Sequence, residues 1–143
     1  MDASRPPTHG RTPVVILDRR PFDRLALETL CEQTPGVTVA ATAANMSEAV
    51  RALGRPGTVV LAGRQALLVD GPELAARLRA AGAVRVIMVG TGDRDWVRVE
   101  AMRMNADGFL MRDGGCPLEA RTLRGQADTV PRWRDGTGDG APV

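Results

Sequence analysis

Five short runs rich in valine, isoleucine and leucine alternate along this chain with longer segments whose apolar residues recur at helical spacing. The runs are Val14–Leu17, Val37–Thr42, Thr58–Ala62, Val84–Val89 and Gly108–Met111. Short runs dense in branched apolar residues are typical of parallel strands, which are buried on both faces of their sheet. The alternation therefore predicts an α/β fold, a (βα)5 doubly wound parallel sheet.

The intervening segments carry residues that start or stop helices. Pro21 stands at the first position of the first predicted helix, with Phe22, Ala26 and Leu30 on its inner face. The later helices are predicted to start at Asn45 or Ser47, at Gly71–Pro72, near Asp93 and near Leu118, and to end at Gly54, Gly82, Asn105 and about Ala127.

The length of 143 residues accommodates one domain of this kind with short tails. We expect a disordered N-terminal tail over residues 1–11, a folded domain over 12–127 and a flexible C-terminal tail over 128–143. Right-handed crossovers favour the strand order 2-1-3-4-5 for five such units. In that order a functional crevice is expected at the carboxyl ends of strands one and three.

Several chemistries are excluded by residue type. All nineteen basic residues are arginine, so a Schiff base or a lysine-bearing phosphate loop has no ammonium group to use. The lone histidine, His9, lies in the predicted N-terminal tail, and Cys31 and Cys116 lack the spacing of a zinc site and are expected to be buried apolar residues. The net charge of +2 is too small for a nucleic-acid-binding face.

No stretch is apolar enough to be a signal peptide or a membrane span, so the sequence predicts a cytoplasmic protein without membrane contact.

The stretches VVILDRRPFDRLALETL, RPGTVVLAG and DGPELAARLRAAGAVRVIMVGTGDRDWVRVEAMRMNADGFLMRD resemble, in order and spacing, the receiver domain of bacterial response regulators, especially the NarL/FixJ type. The resemblance covers about Thr12 to Ala127, and the ADGFL segment is its most specific part. It implies a phosphoacceptor aspartate at the end of strand three and Mg²⁺ bound by carboxylates after strand one. It also implies a lysine after strand five and a Ser/Thr after strand four.

The residues at these positions form a degenerate receiver pocket, Asp18, Arg19, Ala62, Gly90, Thr91 and Arg112. Ala62 stands at the acceptor position, and a methyl group cannot be phosphorylated; shifting the match to Leu61 or Gly63 does not restore an acceptor. One carboxylate beside an arginine is a poor Mg²⁺ site, so we expect no metal, no cofactor and no catalytic residue. The chain is therefore expected to be a pseudo-receiver and not an enzyme.

We hypothesise that Asp18 pairs with Arg112 or Arg19 in this pocket. Such a pair would fix the surrounding loops in one state or leave room for an anionic ligand between the two arginines. The alternative is that these are solvated surface charges of little energetic consequence.

A candidate interaction surface is formed by Trp96, Arg98, Met102, Arg103 and Arg112, around the fourth predicted helix and fifth strand. Tryptophan and arginine are over-represented among the residues that dominate binding energy at interfaces. This surface would serve a protein partner or a homodimer. The alternative is a tryptophan that lies flat against the protein's own surface.

The sequence thus favours a phosphorylation-independent regulatory module of bacterial two-component signalling or transcription regulation, acting by protein association or by binding a small anionic effector. One alternative is a phosphorylatable receiver with an unusual acceptor, and another is the N-terminal fragment of a DNA-binding response regulator. A third is a small enzyme or cofactor binder, although the run Gly90–Gly92 is short for a phosphate loop. Direct nucleic-acid contact is expected only if the chain is such a fragment.

Overall fold

The computed structural model describes residues 11–112, which contain a five-stranded parallel sheet in the order β2-β1-β3-β4-β5. The strands are β1 (Thr12–Leu17), β2 (Val37–Ala43), β3 (Val59–Gly63), β4 (Arg85–Gly90) and β5 (Gly108–Met111). The helices in this range are α1 (Pro21–Glu32), α2 (Met46–Ala52), α3 (Arg64–Asp70), α4 (Pro72–Ala80) and α5 (Arg94–Arg103). The predicted fold class and strand order are confirmed.

The described range excludes residues 1–10 and 113–143. The predicted tails, apart from Arg11, therefore lie outside the described residues, as do the predicted helix over about Leu118–Ala127 and the residues His9 and Cys116. None of the helices between residues 11 and 112 is long and apolar enough to cross a membrane.

Two layers of apolar side chains cover the sheet. Alternate strand residues face opposite sides, as the two-residue period of a strand requires. One side carries Val15, Leu17, Val60, Ala62 and Met88 and packs against α2, α3, α4 and α5, and the other carries Val14, Ile16, Val59, Leu61 and Ile87 and packs against α1. These strand residues are at most 1% exposed, so the central strands are buried on both faces as predicted.

The predicted helix ends are largely confirmed. Pro21 opens α1, and the Asn45 side chain accepts a hydrogen bond from the Glu48 N–H at 2.9 Å. The Glu48 carboxylate in turn accepts from the Ala44 N–H at 2.8 Å, which completes a capping box. Asn105, just after α5, adopts the left-handed conformation with φ 59°.

The inner face of α1 differs from the prediction by one residue. Phe22 is 86% exposed and Ala26 is exposed, whereas Leu27 and Cys31 are buried against β1 and β3. Burial raises the pKa of the Cys31 thiol to about 11, so this cysteine stays protonated and behaves as the small apolar residue that we predicted.

No helix was predicted between β3 and Gly71, but residues 64–70 form α3. Ala66 and Leu67 pack into the core, which stabilises this short helix although no side chain caps its start. Gly71 follows with φ 74°, and Pro72 opens α4. The positive φ explains why glycine separates the two helices. The helix α3 therefore presents its first residues at the carboxyl edge of the sheet.

Candidate functional site

A cavity of about 220 Å³ lies at the carboxyl edge of the sheet. It is lined by Asp18, Arg20, Asp23, Leu27, Arg64, Gln65, Val89, Gly90, Thr91 and Arg112. These residues come from the end of β4 and the residues just after β4 and β5, the segment after β1, the first two turns of α1 and the first turn of α3. The cavity therefore collects side chains from distant parts of the chain, as the edge of a parallel sheet does.

Asp18 is held rigidly at the base of the cavity, with 5% of its surface exposed. Its N–H donates to the Ala43 carbonyl at 3.0 Å, and its Oδ1 accepts from the Arg20 N–H at 3.0 Å. Arg24 Nη1 donates to the Asp18 carbonyl at 2.9 Å. Burial raises the pKa of the Asp18 carboxyl above its ordinary value, and the hydrogen bond from the Arg20 N–H opposes that rise.

The strand-three residue that faces this carboxylate is Gly63. A Cβ built on Gly63 would lie 2.7 Å from Asp18 Cγ and closer still to Oδ2, so the Asp18 side chain fills the space of a side chain at position 63. Ala62, which the sequence analysis assigned to the acceptor position, is fully buried among the apolar residues on the helix-covered side. The structure therefore places Gly63, and not Ala62, opposite Asp18. Neither residue carries a nucleophilic side chain.

Arg112 does not form the predicted pair with Asp18. Its Nη1 donates to Asp23 Oδ1 at 3.1 Å, and the two side chains are 33% and 28% exposed. The reason is geometric, because Asp23 lies on the first turn of α1, beside the cavity, while Asp18 is engaged by the backbone below it. Arg112 still acts on Asp18 through its charge, which lowers the pKa of that carboxyl by a smaller amount than burial raises it.

The pairing of Asp18 with Arg19 is also not formed, since Arg19 is exposed to solvent. The arginine of this turn that lines the cavity is Arg20. Arg24 Nη1, which bonds the Asp18 carbonyl, also lies 3.4 Å from the Arg19 carbonyl, so the backbone of the turn is held by one guanidinium.

Gly90 and Thr91 occupy the end of β4 with different roles. Gly90 is buried, and a Cβ built there would lie 2.8 Å from both methyl carbons of Val97 in α5. The absence of a side chain therefore lets α5 pack against the strand end, and a hydroxyl residue would displace Val97. Thr91 is exposed and lines the cavity, where its hydroxyl is available to a ligand.

An ion pair that the sequence analysis missed connects the cavity to α5. Arg64 Nε and Nη2 donate to Oε1 and Oε2 of Glu100, the second at 3.1 Å. The Glu100 side chain is 9% exposed and the Arg64 side chain 36% exposed. The hydrogen bond to Glu100 raises the pKa of the Arg64 guanidinium, so Arg64 stays protonated. The sequence signal for this pair was that Glu100 follows the apolar residue Val97 by three positions, which places an acid on the inward-facing side of the helix.

The residues around the cavity do not fit Mg²⁺. Asp23 is paired with Arg112, Asp18 accepts the Arg20 N–H, and three guanidinium groups line the same space. Between residues 11 and 112, no group of three or more potential ligand side chains is placed to hold a metal. A divalent cation at this edge would meet more positive than negative side chains.

The candidate interaction surface is only partly exposed. Trp96 is 52% exposed and Arg103 is exposed, and Arg98 is half-buried. Met102 is 8% exposed and belongs to the core, which corrects its assignment to this surface. Glu100, Ala101 and Met102 are all buried, so the buried side of α5 is wide enough here to include Met102. Arg112 belongs instead to the cavity.

Comparison with known proteins gives structural matches. No protein-family model matches the chain, and no curated protein sequence does. A chain in the complex of the CheA3 P1 domain with CheY6 from R. sphaeroides is similar, with TM-score 0.61 and 22% identity over 80% of this chain and 89% of that chain. The receiver domain of the putative response regulator NarL from Mycobacterium tuberculosis gives TM-score 0.56 and 22% identity, covering 79% and 89%.

The response regulator ChrA of a heme-sensing two-component system gives TM-score 0.56 and 27% identity over 73% of this chain and 51% of that chain. The matched structures include response regulators and isolated receiver domains, and they share the parallel five-stranded architecture described above. The fold of this chain is therefore that of a receiver domain.

Proposed function

We propose that this chain, which has the fold of response-regulator receiver domains, is a non-enzymatic regulatory module of two-component signalling that works without phosphorylation. The observation that carries the proposal is the contact between Gly63 and Asp18. The strand-three position that faces the acidic residue after β1 bears no side chain, and Asp18 occupies the vacated space. A phosphoryl group has no nucleophile to join there.

The other parts of the pocket support the same proposal. Phosphoryl transfer in a receiver depends on positive charge that is free to stabilise the transferring group. Arg112, at the position of the lysine, is bonded to Asp23, and Arg64 is bonded to Glu100. The Arg64–Glu100 pair connects the cavity to α5 without a covalent modification, and the Arg112–Asp23 pair occupies the cation that a phosphoryl group would need.

Action through protein association is supported by the exposed side of α5. Trp96 is a half-exposed aromatic residue near the start of that helix, and Arg103 is exposed at its end. One similar structure is itself a complex between the P1 domain of CheA3 and CheY6. We therefore propose that α5 binds a protein partner or a second copy of this chain. The process that this binding would regulate is two-component signalling or transcription.

Treatment of the full chain with acetyl phosphate and MgCl₂, followed by intact-mass spectrometry, tests phosphorylation independence. We expect no mass increase corresponding to a phosphoryl group, while a response-regulator receiver that carries the acceptor aspartate is modified in parallel. A stoichiometric adduct on any aspartate would overturn the proposal and reinstate an unusual acceptor.

Sedimentation velocity over a wide concentration range tests self-association through α5. We expect Trp96→Ala to weaken the dimer, while Phe22→Ala, which removes an even more exposed aromatic residue from α1, leaves it unchanged. A chain that stays monomeric at every concentration would exclude the homodimer, and equal loss in both variants would move the contact away from Trp96.

A further inference from the structure

The cavity has hydrogen-bond donors to spare and few free acceptors. Its two carboxylates are both engaged, Asp18 by the Arg20 N–H and Asp23 by the Arg112 guanidinium. A guanidinium has five N–H donors. Arg112 uses one of them on Asp23, and Arg64 uses two on Glu100. The remaining donors suit an acceptor that comes from outside the chain.

Arg20 is the clearest of these donors. Within residues 11–112 no side chain or carbonyl accepts a hydrogen bond from its guanidinium, although Arg20 lines the cavity. Its backbone is fixed at the same time, because its N–H is bonded to Asp18 and the preceding turn is bonded to Arg24. The Arg20 guanidinium acts on Asp18 through its charge alone, so its hydrogen-bond donors are available to an anion.

Neutral polar groups complete the lining. The Thr91 hydroxyl and the Gln65 amide can each donate to an oxygen atom, and they reach the cavity from β4 and α3 respectively. The volume of about 220 Å³ corresponds to roughly seven water molecules at about 30 Å³ each. That space suits a small oxyanion better than a nucleotide or a flavin.

We propose that this cavity binds a small oxyanion, a phosphate or carboxylate group, without forming a covalent bond, and that Arg20, Arg64 and Arg112 recognise it. The inference rests on the proposed function, for which this ligand would be the effector. Guanidinium groups bind phosphate and carboxylate oxygens with strong, often bidentate hydrogen bonds. Because Arg64 also holds Glu100, the ligand would contact the residue that fixes α5.

Calorimetric titration of the full chain with inorganic phosphate, and separately with malonate, tests the site at constant ionic strength set by NaCl. We expect saturable binding of at least one anion. Saturation by phosphate alone identifies a phosphate-bearing ligand, saturation by malonate alone identifies a carboxylate, and saturation by both supports recognition of the shared anionic charge.

Arg20→Gln should weaken binding about tenfold or more, since it removes the charge-assisted hydrogen bonds of an unpaired cation. Arg19→Gln is the matched control, because it removes the same charge from the adjacent exposed position and should leave affinity unchanged. The proposal is overturned if neither anion saturates, or if Arg19→Gln weakens binding as much as Arg20→Gln. The absence of a phosphoryl adduct, which tests the proposed function, would be unaffected by that failure.

Discussion

The cavity has a buried floor and an exposed rim, and the two differ in how their charges are compensated. We define the floor as Asp18, which lines the cavity, together with the buried residues Gly63 and Glu100, which contact the lining residues Asp18 and Arg64. The rim is Arg20, Asp23, Thr91 and Arg112. Glu100 is 9% exposed and has two hydrogen bonds to one guanidinium, whereas Asp23 is 28% exposed and has one. Water can replace the partner of a rim charge but not that of a floor charge.

This difference indicates that the floor and the rim have separate functions, a division into stability and ligand binding. The floor fixes the strand ends and α5 in one arrangement, so its substitutions should change the free energy of unfolding. The rim presents charge to a ligand, so its substitutions should change binding with little effect on stability. A floor substitution that leaves the free energy of unfolding unchanged near neutral pH, or a rim substitution with a large cost, would contradict the division.

The largest effect is expected from Arg64→Met, which leaves the Glu100 carboxylate buried without a partner. We expect a loss of about 2–3 kcal/mol in the free energy of unfolding, less than the roughly 3–5 kcal/mol of fully buried pairs because Arg64 is partly exposed. Urea denaturation measures the loss. Arg103→Met, an exposed arginine at the other end of α5, is the control and should cost less than about 0.5 kcal/mol.

Removal of both the Arg64 and the Glu100 charges tests whether the unpaired carboxylate causes the stability loss of Arg64→Met. In the double variant Arg64→Met/Glu100→Leu no buried charge is left unpaired, so most of the lost stability should return. If the double variant is as unstable as Arg64→Met alone, packing of the arginine stem, and not the buried charge, is the source of the loss.

Gly63→Ala tests the close approach at the centre of the floor. The new methyl group would collide with the Asp18 carboxylate, which is held by backbone hydrogen bonds, and we expect a loss of about 1–2 kcal/mol in unfolding free energy. Gly54→Ala is the matched control, since a Cβ there meets nothing within 4 Å. Combining Gly63→Ala with Asp18→Ala should reduce the loss, and an unchanged loss would place the strain elsewhere.

The pattern of these contacts shows what sequence reasoning could and could not find. Strands such as Val37–Ala43 were predicted within one or two residues because burial on both faces leaves a local signal. The residue opposite Asp18 is Gly63 and not Ala62, because alternate strand residues face opposite sides, and composition does not set the register between the two. The same single-residue uncertainty placed Phe22 on the wrong side of α1.

Non-local contacts left no comparable signal. Arg64 and Glu100 are 36 residues apart. Their pairing depends on the order of the strands and on the short helix α3, for which no helix was predicted. The choice of Asp23 over Asp18 as the partner of Arg112 likewise depends on the position of α1 relative to β5. Residue type therefore identified the charged edge of the sheet, whereas the pairing within it required the fold.

Asp18→Asn should give a smaller effect of opposite sign. Burial raises the pKa of Asp18 above 3.8, so at low pH the folded and unfolded chains both hold the proton and the two proteins should be equally stable. As pH rises past the folded-state pKa, the folded protein must carry a buried charge, and the asparagine variant should become the more stable of the two proteins. Asparagine still accepts the Arg20 N–H through its carbonyl oxygen.

Thermal unfolding between about pH 3 and pH 7 measures this difference, because the lower limit lies below 3.8, the ordinary pKa of this carboxyl. Asp70→Asn, at the exposed end of α3, controls for the change in net charge. A stability gain that is equal at all pH values would show that the amide improves packing or hydrogen bonding and that the charge of Asp18 is not the cause.

The smallest effect is expected from Arg112→Ala at the rim. The pair with Asp23 is a third exposed on each side and has a single hydrogen bond, so its loss should change the free energy of unfolding by no more than about 0.5 kcal/mol. The same variant should weaken phosphate or malonate binding severalfold, because it removes one of three cations around the cavity. Raising the salt concentration should diminish both effects, since exposed charges are screened. A stability loss as large as that of Arg64→Met would mean that the rim, like the floor, holds the strand ends together, and the division between the two regions would have to be abandoned.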